Sequence, residues 1–184
     1  MQITPIFFES LRTAFDKTSH DWASFAEEWG HAWGRRAVVD LETEVLESFD
    51  RLLRELPMVT VAEVVAAYLR RHGWGQLTVD FGPANRGVFL LRLQRNALAE
   101  SLGPSASPRC QLFAGFFGAV FSHLANKRLV VREARCISQG HPHCELVVAN
   151  MTRASAIDGS LAESGGDVEK LVELLRRAAS SRRS

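Results

Sequence analysis

Residues 110–148 read CQLFAGFFGAVFSHLANKRLVVREARCISQGHPHCELVV, and this stretch decides how the chain folds. It opens with Phe113, Phe117 and Phe121 at four-residue steps, which predicts a helix over 108–126. Ala114 and Gly118, together with Gly115, leave little side chain on a neighbouring face, so another backbone can approach closely. RLVVREARC (128–136) and CELVVAN (144–150) then read as two strands of a hairpin around the turn-like segment ISQGHPH.

The same stretch holds all 3 cysteines of the 184 residues: Cys110, Cys136 and Cys144. A disulfide would leave one thiol over, and thiols gathered this way in a cytosolic chain point to a metal. Zinc suits thiolate ligands, and Glu133 can supply a fourth, oxygen donor, with His141 or His143 as its alternatives. Glu133 is awkward in a regular strand, because residues three apart face opposite ways. It joins Cys136 at one ion only if the chain bulges or bends at Ala134–Arg135. Arg109, Arg132, Arg135, His141 and His143 are near enough in sequence to offset the site's negative charge. The other reading of these residues is three buried cysteines with no ion.

Outward from this stretch, the N-terminal half is helical in pattern. Ile6, Phe7, Leu11 and Phe15 mark a short amphipathic helix over 4–17, and Trp22, Phe25, Trp29 and Trp33 a second over 21–39. Val45, Leu46, Phe49, Leu52 and Leu53 mark a third over 42–56, ended by Pro57. Thr60 followed by Glu63 reads as a capping box for a fourth, which Gly73 stops. LTVDF and VFLLRL are strands joined by GPANRG, and SLGPSASP is a polar loop. Residues 151–166 read as a flexible linker, and 167–180 as a C-terminal helix carrying Val168, Leu171, Val172 and Leu175, before a basic tail. Four helices ahead of a small, mostly antiparallel sheet with one helix inserted make an α+β fold, with residues 1–150 as one domain.

Composition narrows the function. Hydrophobic content of 46% with 23% charged residues is that of a soluble globular domain. A net charge of +1 gives no global field to recruit nucleic acid or an acidic membrane. No apolar run approaches the ~20 residues of a membrane span, and the first residues lack a signal-peptide pattern, so a cytoplasmic location is expected. GxGxxG after a strand, GxxxxGK[ST], GxSxG and HExxH are all missing, and a closed four-ligand zinc leaves no position for an activated water. Non-catalytic roles are therefore favoured.

The 110–148 stretch resembles the 4-vinyl reductase domain family: a Cys-led helix with small residues, a strand ending Glu-x-x-Cys, then Gly and a second Cys before a hydrophobic strand. FAEEWGHAWGRR (25–36), LRRHGWGQLTVDF (69–81) and LQRNALAESL (93–102) extend the resemblance over roughly 20–149. In that family's phenol- and xylene-responsive sensors the matching residues bind a structural zinc, which implies that role for Cys110, Glu133, Cys136 and Cys144. The resemblance also implies an aromatic or hydrophobic ligand enclosed between helices and sheet. Four Trp and 11 Phe against one Tyr fit such a lining. The candidate contacts are Trp29, Trp33, His72, Trp74, Phe89, Phe113, Phe117 and Phe121, with Phe81 and Phe116 beside them. His123 and Tyr68 are further polar anchors, and His31 is a polar neighbour of Trp29 and Trp33. Ordinary core packing is the alternative for these rings. Other family members imply an accessory or reductase-like factor in tetrapyrrole (bacteriochlorophyll) synthesis. The related fold of TRAPP tethering subunits implies a dimeric scaffold. A homodimer is expected in each case, and a sensor without its own output module would act on a protein partner in trans.

Overall fold

A computed structural model of the chain describes residues 5–17 and 21–180. Three helices come first: α1 (Pro5–Phe15), α2 (Trp22–Phe49) and α3 (Met58–Arg71). The strands β1 (Gln76–Asp80) and β2 (Val88–Gln94) follow, then α4 (Ala97–Ser101) and α5 (Gln111–Ala125). The hairpin strands β3 (Leu129–Arg135) and β4 (Cys144–Asn150) precede α6 (Ala154–Ser164) and α7 (Val168–Ser180). All strand pairs are antiparallel, in the order β1-β2-β4-β3, which confirms the α+β class.

Several boundaries differ from the sequence reading, each for a local reason. The helices expected at 21–39 and 42–56 are one 28-residue helix, α2. No Gly or Pro lies between Gly34 and Pro57, and buried Val38, Leu41 and Val45 carry the inward stripe across the expected break. The helix starts on Asp21, whose carboxylate accepts from the Ser24 amide at 2.9 Å, and ends on Asp50 in the left-handed region. Thr60 and Glu63 do not cap α3. Pro57 precedes its first residue with a fixed φ of −55° and no side-chain cap. The acceptor that holds the chain here is Glu55, which takes the Leu52 amide at 3.0 Å. GPANRG forms a 3-10 turn, Gly82–Arg86, and the polar loop is preceded by the short helix α4. Most of the expected linker is helical as α6. The Ile6 side chain and the basic tail lie outside the described residues.

α2 and α5 pack backbone to backbone. A Cβ at Gly30 would overlap the Leu112 carbonyl, and one at Gly115 the Glu27 carbonyl, so each helix supplies a glycine where the other's chain passes. This pair, with α1 and α3, covers one face of the sheet. Phe113, Phe116, Phe117 and Phe121 from α5 are almost wholly buried against Leu91, Leu93, Leu146 and Val148 of the strands. The opposite face is covered by α6 and α7. There Val168, Leu171, Val172 and Leu175 pack on Val88, Leu90, Val130 and Val147, which accounts for the apolar stripe read in 167–180.

Candidate metal centre

The four residues singled out by the sequence meet at one point beneath the α5 N-terminus. One ligand atom from each of Cys110, Glu133, Cys136 and Cys144 lies within 4.8 Å of every other, and all three cysteines are fully buried. Cys110 is the residue just before α5, Cys136 follows β3, and Cys144 opens β4. Glu133 reaches them because β3 bulges: Glu133 pairs with Leu146 while Arg135 pairs with Glu145, leaving Ala134 as the extra residue. The irregularity required at Ala134–Arg135 is thus present.

The sulfur separations are 3.2 Å for Cys110–Cys144, 3.6 Å for Cys110–Cys136 and 3.8 Å for Cys136–Cys144. Tetrahedral ligands about 2.3 Å from a shared zinc would stand roughly 3.8 Å apart. The cysteines are free thiols in geometry, well beyond disulfide distance.

Hydrogen-bond donors point at the sulfurs. The buried Asn96 amide donates to Cys110 Sγ at 2.9 Å and Cys144 Sγ at 3.3 Å, the Ser138 hydroxyl to Cys136 Sγ at 3.0 Å, and the Ile137 amide to Cys144 Sγ at 3.4 Å. Asn96 is fixed by its other end, since Oδ1 accepts from Leu98 and Ala99 as the N-cap of α4. Glu133 Oε2 accepts the Cys110 amide at 2.8 Å, whereas its Oε1 is buried with no hydrogen-bond partner. A buried carboxylate oxygen left over beside three thiols fits a cation as its partner.

The acid–base balance agrees. Burial pushes the Cys110 thiol well up, reinforced by its two cysteine neighbours, and burial with the nearby Cys136 charge pushes Glu133 well up. Hydrogen bonds from Cys110, Cys144 and Ser138 draw Cys136 down. Cys144 is pushed up to about 12: its contact with Cys110 lowers it, but the Cys136 contact and burial outweigh that. On their own the four groups oppose one another's ionisation, and a divalent cation is what would let all of them ionise together.

The charged residues expected to surround the cluster go elsewhere. His141 is exposed, and His143 Nε2 lies 3.3 Å from Glu145 on the opposite face of the sheet, so neither replaces Glu133. Arg135 also turns to Glu145, Arg132 binds Asp158 at 2.8 Å, and Arg109 donates to the Leu102 carbonyl. The donors that do face the sulfurs, Asn96 and Ser138, are missing from the sequence reading. Asn before Ala-Leu-Ala-Glu is a readable N-cap signal, but nothing local tells where its amide points.

The aromatic candidates divide. Trp33 sits among Phe116 (ring centroids 4.2 Å), Trp74 (4.7 Å) and Phe113 (5.9 Å), and Phe113, Phe117 and Phe121 follow one another along α5. Phe89 packs edge-on to Phe121 at 5.0 Å and lies 5.5 Å from Phe81. The Trp33 indole faces the Tyr68 hydroxyl, whose pKa burial raises. His72 is exposed against the Tyr68 ring, and exposed His123 pairs with Glu42 at 2.9 Å. Trp29 borders open space: an apolar groove of about 500 Å³ between α1 and α2, lined by Phe7, Leu11, Phe25, Glu28 and Trp29. Phe8 links it inward, 6.3 Å from Trp29 and 5.5 Å from Trp74. His31 is on the other side of α2 from Trp29 and Trp33, over Gly118.

With this geometry in hand, comparison with known proteins is informative. Residues 90–150 match the family model of the 4-vinyl reductase domain. The family resemblance seen in the cysteine-bearing stretch therefore holds. A bacteriochlorophyll synthase 23 kDa chain from Cereibacter sphaeroides is 30% identical over 99 residues, covering 51% of this chain and 46% of that protein. The chain thus spans about half the length of this curated relative. Among solved structures, the phenol-responsive sensory domain of the transcription activator PoxR with phenol aligns over 88% of this chain and 82% of its own, at TM-score 0.63 and 18% identity. A trafficking protein particle complex subunit 3 from Naegleria fowleri covalently bound to palmitic acid aligns over 79% and 91%, at TM-score 0.61 and 14% identity. A vinyl-4-reductase family protein from Methanocaldococcus jannaschii aligns over 80% and 82%, at TM-score 0.53 and 17% identity. These likenesses establish the fold. No helix among the described residues is long and apolar enough to cross a membrane.

Proposed function

We propose that this chain is a non-catalytic, zinc-stabilised domain that holds a small apolar or aromatic molecule, with Cys110, Glu133, Cys136 and Cys144 as the metal ligands. The observation that carries the metal is the partnerless buried Oε1 of Glu133 within reach of three buried, hydrogen-bonded sulfurs. Zinc there ties the start of α5 to both strands of the hairpin, so that one wall of the aromatic layer is rigid. The ligand reading is supported by the apolar groove at Trp29 and its connection through Phe8 to the Trp33–Trp74–Phe113 rings. It is further supported by a neighbour of the same fold described with phenol bound and another with palmitic acid. Trp29 is the contact placed first. Trp33, Trp74, Phe89, Phe113, Phe117 and Phe121 form the packed interior behind it, and His72 is the weakest member of the set.

Native mass spectrometry of the purified chain, before and after chelation, tests the metal. One zinc per chain, lost in Cys144→Ser, is the expected result, and none in the wild type overturns it. Titration with 1-naphthol, read by tryptophan fluorescence, tests the ligand. Saturable quenching that weakens in Trp29→Ala is expected, and an unresponsive spectrum overturns the binding reading.

The curated relative favours a second reading, an accessory protein in tetrapyrrole synthesis. A coloured pigment retained through purification, released on denaturation, would move the proposal to that class. Zinc with neither pigment nor naphthol binding would leave the dimeric scaffold, for which exposed Val39, Leu46 and Phe49 on α2 offer an apolar strip.

A further inference from the structure

A second concave surface lies between α2, α5 and the edge strand β3. Its volume is about 360 Å³ and none of its lining residues belongs to the metal cluster or the aromatic rings. Its floor is apolar, made by Ala114, Gly118, Leu129 and Val131. The imidazole of His31 rests on that floor because Gly118 lacks a side chain: a Cβ there would stand 2.9 Å from His31 Cε1.

Charge is divided along the groove. Glu27, His31 and Arg35 are four residues apart and share one face of α2, so Glu27 and Arg35 are separated by roughly 12 Å. β3 runs back from Ser122, whose hydroxyl accepts the Leu129 amide at 2.9 Å, toward the metal cluster. Arg128 therefore lies at the Arg35 end and Arg132 toward the Glu27 end. Arg132 is already engaged by Asp158 at 2.8 Å. Arg35 and Arg128 are exposed, line the groove and have no ion pair among the described residues. Their fields both reach His31: burial lowers its pKa first, Glu27 opposes, and Arg35 and Arg128 add to the lowering. The ring is thus a neutral hydrogen-bonding group beside two unpaired guanidiniums.

We infer that this groove binds a small organic anion, a carboxylate or phosphate on a short apolar body. The anionic head sits between Arg35 and Arg128 beside Ser122 and His31, and the body lies on Ala114, Gly118 and Val131. Guanidiniums suit such heads because each offers paired N–H donors to two oxygens. Glu27 at the far end repels a second negative charge, so the groove selects one headgroup with an apolar tail rather than a dianion charged at both ends.

Proton–nitrogen correlation spectra of the full chain, titrated with monobutyl phosphate, inorganic phosphate and butanol, test this. Saturable shifts at Gly118, Ser122 and His31 with butyl phosphate, and weaker binding of phosphate or butanol alone, are expected. Arg35→Gln and Arg128→Gln should each weaken binding by about tenfold, the scale of a lost charged hydrogen bond. Arg132→Gln should change it by less than about twofold, since Asp158 already holds that side chain. The same spectra report whether each variant keeps its fold. Butanol binding as tightly as the ester, or equal losses from all three substitutions, would overturn the assignment. So would sedimentation with phosphatidylglycerol vesicles in the absence of any binding of the soluble ester.

Discussion

The two faces of the sheet are held by different physics, and β4 displays both in alternate residues. Cys144, Leu146 and Val148 face the Cys–Glu cluster and the aromatic layer, whereas Glu145, Val147 and Ala149 face α6 and α7. The first layer is deep: four phenylalanines, Trp33, Trp74 and the α2–α5 backbone contact lie over it. The second is two short helices, α6 and α7, on a few aliphatic residues, with a charged fringe. There Glu145 takes Arg92 at 2.9 Å, His143 at 3.3 Å and Arg135 at 3.6 Å, while Arg135 also binds the Gly166 carbonyl. The bulge at Ala134 joins the faces, since it sends Glu133 to the sulfurs and Arg135 to Glu145. Geometry imposed at the Cys–Glu cluster therefore also sets one anchor of the C-terminal helices.

The largest expected effect comes from the centre itself. A structural zinc site contributes about 10–16 kcal/mol of apparent binding energy, comparable with a domain's whole stability of about 5–15 kcal/mol. Cys136→Ser or chelation should abolish the cooperative thermal transition seen by circular dichroism. An unchanged transition would show that the first face stands on its hydrophobic packing alone, and the contrast drawn above would fail.

Next in size is Leu171→Ala, on the fully buried side of α7, at about 2–5 kcal/mol. Its place in the second layer makes the pattern more telling than the amount. Hydrogen exchange should rise throughout α6 and α7 while α5 and β4 stay protected. Equal loss of protection in α5 would mean that the two faces fold as one unit.

Legibility follows the same division. The chemistry of the first face is written in residues that are scarce and close in sequence: three cysteines and a glutamate, with a phenylalanine every fourth position of α5. Even the Glu133 difficulty announces the bulge that resolves it. What escapes reading depends on distant partners. Asn96 caps its own helix, a local property, yet its amide serves sulfurs 14 and 48 residues away. Glu145 sits in a run that otherwise reads as a hydrophobic strand. Sequence proximity puts Arg135 and His143 with the cysteines, because it cannot tell one strand face from the other across a bulge. The sequence reading divides α2 between its aromatic and aliphatic runs, although buried Ala37, Val38 and Leu41 continue the inward stripe and nothing there breaks a helix. The linker reading fails because small Ser, Ala and Gly residues fill much of α6, where Ile157 and Ser164 alone are buried, so little apolar periodicity marks the helix.

The fringe of the second face should be worth less than its apolar contact. Glu145→Gln removes the charge but keeps a hydrogen-bonding group of the same shape. Arg92 is half-exposed and regains water, so the cost should be about 1–2 kcal/mol by thermal denaturation. A cost matching Leu171→Ala would make the ionic cluster, rather than α7, the principal support of that face.

The smallest effect sharpens the comparison from the other side, because one tie in the first layer is also electrostatic. Glu42 on α2 takes the Leu53 amide at 2.9 Å where the chain leaves that helix, and pairs with His123 at the end of α5. Burial raises its pKa, but these two partners outweigh burial and hold it below the ordinary 4.5. A carboxylate with a depressed folded-state pKa contributes stability that is fully present above its unfolded value and lost as the pH falls through the folded one. Wild type should therefore exceed Glu42→Gln by about 0.5–1 kcal/mol near neutrality, with the gap closing from about pH 4.5 downward. A gap that persisted below about pH 3 would mean that the glutamate acts through its shape. The first layer would then be held by packing and its Cys–Glu cluster alone, and the contrast between the faces would be complete.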